Sequence, residues 1–122
     1  MTTVLDASAI LAYLGGETGA DVAEQALTDG AVCSAVNWSE AAQKVRAAGG
    51  DWSVAAALLS SYGLTVHDAT TTDAERAASR WVRGDGLSLG DRFCLALGDR
   101  LDATVLTADR AWAAEPRVRL IR

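Results

Sequence analysis

The stretch "TTVLDASAILAYL" (residues 2–14) decides how the rest of the chain is read. Thr2 to Leu5 form a short apolar run that reads as a strand. Asp6 closes it, and Ala7 to about Leu14 read as a helix. A strand passing straight into a helix, with one acid at the junction, is the opening of a β-α unit. Aspartate is a preferred N-cap there, because its carboxylate accepts from the free N–H groups of the first helical turn. The same position also puts a carboxylate at the carboxyl end of a strand, where open α/β sheets bind ligands. The local sequence leaves both readings open.

Working outward, four more short runs share the character of the first: "AVC" (31–33), "LTVH" (64–67), "ATVLT" (103–107) and "VRLI" (118–121). None alternates apolar with polar, as expected of strands covered on both faces. Alanine-rich helical stretches separate them. Helices are predicted after Gly19, from Ala35 to Gly49-Gly50, from Asp51 to Tyr62, over Thr71 to Arg83 and over Leu89 to Leu101. A short helix carries Trp112. The expected fold class is α/β, a three-layer α/β/α arrangement around a short, mainly parallel sheet, with residues 1–122 forming one domain.

Composition narrows the class. Hydrophobic residues are 50% and charged residues 22%, values that suit one closed core rather than disorder. No apolar run reaches membrane-spanning length and no signal peptide is evident, so a cytoplasmic protein is expected. Cys33 and Cys94 lie far apart in apolar contexts and read as reduced, buried thiols. The net charge of −5 argues against a basic nucleic-acid coat protein. It does not argue against a nuclease, whose metal-binding carboxylates count toward that total. Ten of the eleven basic residues are arginine, and the remaining one is Lys44.

Three further acids stand where Asp6 stands, near junctions. Glu40 lies in "SAVNWSEAAQKVRAAGG" (34–50), on a polar helix face with Asn37, Gln43 and Lys44. By itself it reads as an i,i+4 surface pair with Lys44, worth ~0.3–0.5 kcal/mol. Asp91 lies in "GLSLGDRFCLALGDRL" (86–101), where Ser88 and Asp91 fit a capping box at the mouth of an apolar helix. Asp99 and Asp102 read as solvent-facing or C-terminal charges of that helix. Asp109, in "ATVLTADRAW" (103–112), follows a strand and precedes a short helix. Four carboxylates converging on one sheet edge repel one another without a counter-charge. Hard divalent cations such as Mg²⁺ or Mn²⁺ supply that charge through oxygen ligands.

The stretches "VLDASAILAYL", "SAVNWSEAAQKV", "LSLGDRFCLALG" and "VLTADRAW" occur in the order in which PIN-domain ribonucleases carry them. The chain resembles that family, in particular the VapC-type toxins of bacterial toxin–antitoxin pairs. The resemblance spans nearly the whole chain. It implies a parallel sheet flanked by helices and an acidic Mg²⁺ or Mn²⁺ site made of Asp6, Glu40, Asp91 and Asp109. Ser8 matches a family hydroxyl near the metal, and Thr107 matches a second small polar position. An RNA substrate, cleavage to 5′-phosphate and 3′-hydroxyl products, a homodimer and a VapB-like antitoxin partner are also implied.

Other residues carry weaker signals. Arg92 and Arg110 each follow a site acid and read as partners of neighbouring aspartates, with RNA phosphate as the rival role. His67 reads as a polar loop residue. The four tryptophans, at 38, 52, 81 and 112, read as packing residues rather than base-stacking platforms. A phospho-acceptor signalling domain fits less well, because it wants an acid pair after strand 1 and a late lysine. A D-x-D phosphatase is excluded by serine at position 8. A catalytically silent PIN-fold binding module is the stronger rival. Neither dinucleotide-binding nor P-loop glycine patterns occur.

Overall fold

The computed structural model describes residues 2–122. The elements run β1 (Thr3–Leu5), α1 (Ala7–Gly15), α2 (Ala20–Thr28), β2 (Val32–Ser34), α3 (Ala35–Ala47), α4 (Trp52–Ser61), β3 (Thr65–His67), α5 (Thr71–Ser79), α6 (Leu89–Leu101), β4 (Thr104–Thr107), a 3₁₀ turn (Arg110–Trp112) and β5 (Val118–Leu120). The five strands form one sheet in the order β3-β2-β1-β4-β5. Every pairing is parallel, with Val4 opposite Val32 and Val105, and Leu5 opposite Leu106.

Why the strands read as unalternating is visible in the packing. Side chains of successive strand residues point to opposite faces, and both faces of the central strands β2, β1 and β4 are covered, whereas the alternating edge strand β3 leaves Thr65 and Val66 exposed. Leu5, Cys33 and Leu106 pack on one face with Ile10, Leu27 and Leu59 from α1, α2 and α4. Val4, Val32 and Val105 pack on the other with Leu95 and Leu97 of α6 and with Trp112. α5 lies against α6. Both cysteines are free and buried, and burial pushes the Cys33 thiol up to about 12. Among the described residues, no helix is long and apolar enough to cross a membrane.

The order of the strands positions the site. The chain winds outward from β1 through β2 to β3, then returns to place β4 on the other side of β1. After β1 it enters α1 on one face. After β4 it enters the 3₁₀ turn, whose Trp112 belongs to the opposite core. The carboxyl ends of β1 and β4 therefore flank a switch point, the place where open parallel sheets form a crevice. Asp6 and Asp109 lie just past those two strand ends.

Two expectations need correction. Helix α5 stops at Ser79 rather than Arg83. Arg80 caps it and spends its guanidinium on Asp99 (2.7 Å) and Glu115 (3.0 Å), so the chain leaves the helix there. Trp81 and Val82 then emerge exposed into a loop that turns through Gly84 and Gly86, both at positive φ. Asp99, in turn, is not a solvent-facing charge. It is gripped by Arg80 and by Arg117 (3.0 Å), residues brought to it from the end of α5 and from the approach to β5. Asp102 does face solvent, capping α6 at φ 49°.

Asp73 is a second ion-paired acid, and it is buried. It completes a capping box with Thr70 and accepts from Arg100 Nε and Nη2, each at 3.0 Å, tying the start of α5 to the end of α6. Burial pushes its carboxyl up, but the Arg100 guanidinium and Thr70 outweigh that and hold it below 3.8. Asp73→Ala removes the cap and the ion pair together. It is expected to cost about 2–4 kcal/mol in urea unfolding. A loss under about 0.5 kcal/mol shows the α5–α6 tie to be dispensable.

Candidate active site

The junction after β1 is built as a cage for one carboxylate. The backbone N–H of Asp6 donates to Leu106 O (3.1 Å), extending the sheet by one bond and pinning the residue to β4. Asp6 Oδ1 accepts from Ala9 N (2.8 Å), so the residue is the N-cap of α1. Thr107 Oγ1 donates to Asp6 Oδ2 (2.6 Å), and Ser8 Oγ lies 2.8 and 2.9 Å from the two carboxylate oxygens. The hydroxyls are themselves fixed. Ala108 N donates to Ser8 Oγ (2.9 Å), and Asp109 N donates to Thr107 Oγ1 (3.0 Å). Ser8 and Thr107 therefore orient Asp6, and Thr107 links it to the backbone of Asp109.

Asp6 is 4% exposed. Burial pushes its carboxyl up to about 6, against the pull of Thr107, Ala9 and Ser8, and the nearby Asp91 charge adds to the rise. No arginine or lysine is bonded to it among the described residues. A carboxylate this buried, with hydrogen bonds but no cation, is an incomplete electrostatic arrangement.

Asp91 is the third residue of α6 and closes a capping box. Its N–H donates to Ser88 Oγ (3.1 Å), and its Oδ2 accepts from Ser88 N (2.9 Å). Burial raises its carboxyl too; Ser88 opposes the rise and the Asp109 charge reinforces it. The indole N–H of Trp112 lies close enough to favour the Asp91 anion, yet has no hydrogen-bond partner in bonding geometry. Asp109 is exposed and caps the 3₁₀ turn through Ala111 N (2.9 Å). The Cys94 thiol, wholly buried one turn beyond Asp91, is raised mainly by burial and then by Asp6, Asp91 and Glu40.

Glu40 is not held by Lys44. Its Oε1 accepts from Asn37 Nδ2 (2.7 Å), one turn back on α3. The other proton of that amide goes to Gly90 O (3.1 Å), across to α6. The carboxylate lies against Gly90, where an added Cβ would meet its atoms at 2.6–2.7 Å. Sequence reading placed Asn37 on Glu40's face but gave it no role. Glycine at the second position of α6 carried no signal, because what it admits is a residue fifty positions away.

The remaining candidates are peripheral. Arg92 does not pair with an aspartate. It donates from Nη1 to Ala77 O (2.8 Å) and ties α6 to α5. Arg110 is exposed. His67 ends β3, an outer strand two places from β1. Trp112 is fully buried and Trp38 stacks edge-on to Trp52 at 4.8 Å, whereas Trp81 is exposed with Arg83 over its ring.

The donor set is carboxylate and hydroxyl oxygen throughout, with no histidine or thiolate among the inward groups. Such a set suits a hard divalent cation, not zinc or copper. Among the described residues, no three acidic, histidine or cysteine side chains stand as a closed metal cage. Asp91 and Asp109 are each turned onto their own helix mouth, as mutually repelling anions would be. Magnesium needs no such cage, since it keeps several waters and takes one or two carboxylates directly. The buried, cation-free Asp6 beside Asp91 fits that requirement.

Comparison with known structures places the fold. A toxin–antitoxin complex from Klebsiella pneumoniae contains a chain similar over 98% of both chains, with a TM-score of 0.76 at 19% identity. VapC20 of Mycobacterium tuberculosis, described as a sarcin-ricin loop cleaving toxin, matches over 95% of this chain and 96% of that one, with a TM-score of 0.73 at 21% identity. A DNA-bound VapBC of Salmonella typhimurium matches over 98% and 96%, with a TM-score of 0.69 at 18% identity. At such identities the likeness is one of fold. A search of curated proteins finds no match. The family profile of the PIN domain matches residues 3–116. With that match covering nearly the whole sequence, and with a five-stranded parallel sheet flanked by helices, the chain belongs to the PIN domain family.

Proposed function

We propose that the protein is a Mg²⁺- or Mn²⁺-dependent endoribonuclease, the toxin of a VapBC-type toxin–antitoxin pair. The observation that carries this reading is the buried Asp6 carboxylate, within reach of the Asp91 charge and with no arginine or lysine bonded to it among the described residues. Asp6 and Asp91 are the residues that would hold the ion, and Asp109 would reach it through water. A bound divalent cation supplies positive charge for the scissile phosphodiester and makes water a nucleophile at neutral pH.

The chain's own residues supply the rest. Ser8 and Thr107 keep Asp6 aimed and ionised. Glu40 Oε2, free of the Asn37 bond, orients the attacking water or takes part in a second ion site. The reaction expected is hydrolysis of an RNA phosphodiester, leaving a 5′-phosphate and a 3′-hydroxyl. The structural neighbours named as VapBC complexes support a VapB-like antitoxin as partner, and a homodimer in the cytoplasm completes the proposal.

The test is cleavage of a structured RNA by purified protein in Mg²⁺ or Mn²⁺. Cleavage that EDTA abolishes and added metal restores is the expected result. Unchanged cleavage in EDTA rejects the metal mechanism. The second reading, a catalytically silent PIN module, draws on the lack of a closed acidic cage. It predicts neither cleavage nor Mn²⁺ binding by titration calorimetry.

A further inference from the structure

Asn37 is 1% exposed, yet its Oδ1 has no hydrogen-bond partner. The amide cannot turn round to satisfy that oxygen. Its Nδ2 faces two acceptors, Glu40 Oε1 and Gly90 O, and a flip would set oxygen against oxygen at both. A buried acceptor without a partner is costly, so this orientation is imposed by what the nitrogen holds. What it holds joins two helices: the Glu40 carboxylate on its own α3 and the backbone of α6 next to Asp91. Gly90 is the other half of the fit. The Glu40 carboxylate occupies the space that any Cβ at position 90 would take.

We propose that Asn37 and Gly90 form a latch that positions Glu40 at the mouth of α6, beside Asp91. Asn37 supplies the fixed N–H donor, and glycine at 90 supplies the space. Both are positioning residues acting through Glu40. The inference rests on the reading of the acidic site as a metal-dependent nuclease centre, and it adds how one wall of that site is set.

Gly90→Ala is a clean probe. The clashing atoms are the far end of a flexible, half-buried side chain, so Glu40 swings away and the fold stays intact. The melting temperature of the metal-free variant should hold or rise, since alanine is the better helix former. Mn²⁺ affinity and RNA cleavage should each fall about tenfold or more, the range seen when supporting partners of metal ligands are lost. In a Glu40→Gln background the same change should cost almost nothing further, because the carboxylate it displaces is already gone. Losses of equal size in both backgrounds, or full affinity and activity in Gly90→Ala, overturn the latch.

A readout without metal or RNA separates failure of the latch from failure of the nuclease reading. In an amide NMR spectrum of the metal-free protein, the Asn37 side-chain pair should move on Gly90→Ala and again on Glu40→Gln. A stationary Asn37 pair overturns the latch even if the protein cuts RNA. A moving pair in a protein that neither binds Mn²⁺ nor cuts RNA keeps the latch and rejects the nuclease.

Discussion

Asp6→Asn is expected to abolish RNA cleavage and, at the same time, to make the metal-free protein more stable at neutral pH. Loss of a residue that would hold the ion directly should lower kcat/KM by more than about a hundredfold, the upper end for partners one layer further out. The stability gain follows from linkage. An unfolded aspartate titrates near 3.8, whereas Asp6 in the fold titrates near 6. Below 3.8 both forms are protonated and burial is free of charge. Between 3.8 and 6 the folded protein keeps a proton that the unfolded chain releases, so stability falls as pH rises. Above 6 the fold carries the full penalty of a buried anion, about 3 kcal/mol for a shift of this size.

Asparagine removes the charge while keeping the shape. Its Oδ1 still accepts from Ala9 N, and its amide donates to the Thr107 and Ser8 hydroxyls, which rotate to accept. The variant should therefore lose the downward slope between pH 4 and 6 and gain about 1–3 kcal/mol at pH 7.5. Mg²⁺ or Mn²⁺ should stabilise the wild type, by binding only the folded form, and leave the variant unmoved. Urea unfolding across pH, with and without metal, reads all of this. A variant less stable than wild type at pH 7.5, with the slope retained, rejects the account of Asp6 as an uncompensated buried anion. Asp73 acts in a different window, because its lowered pKa contributes stability that is lost as pH falls below about 4.

How far the sequence exposed these features depended on whether their cause is local. The strands were legible because "TVL" and "VLT" are apolar on both faces, and the structure buries Val4 and Leu5 in opposite cores. Asp6, Asp91 and Asp109 were legible as caps, since each makes its capping bond within three residues. Asp99 was misread because its partners, Arg80 and Arg117, stand nineteen and eighteen positions away and meet it only through tertiary packing. The end of α5 was misread for the same reason: the helical pattern runs on through Trp81, and the stop comes from what Arg80 reaches. Asn37 and Gly90 escaped notice because one is an ordinary polar neighbour and the other an ordinary poor helix former until α3 and α6 are set side by side.

Trp112→Ala is the second large effect, and it tests whether the acidic site is held from beneath. Trp112 is fully buried in the core under β4, with Val4, Val105 and Leu95 around it. Truncating it should cost about 3–5 kcal/mol, from lost burial and the cavity left behind. The 3₁₀ turn exists because Trp112 anchors its end while Asp109 caps its start, so cleavage should fall along with stability. Trp112→Phe separates packing from polarity. Phenylalanine keeps most of the buried ring and removes an indole N–H that has no hydrogen-bond partner, so the cost should stay within about 1.5 kcal/mol. Trp81→Ala is the control: that ring is 54% exposed, and its loss should move stability by no more than about 0.5 kcal/mol. Equal costs for Trp112→Ala and Trp81→Ala would mean that the turn carrying Asp109 does not depend on the core, and that the acid is placed by its own cap alone.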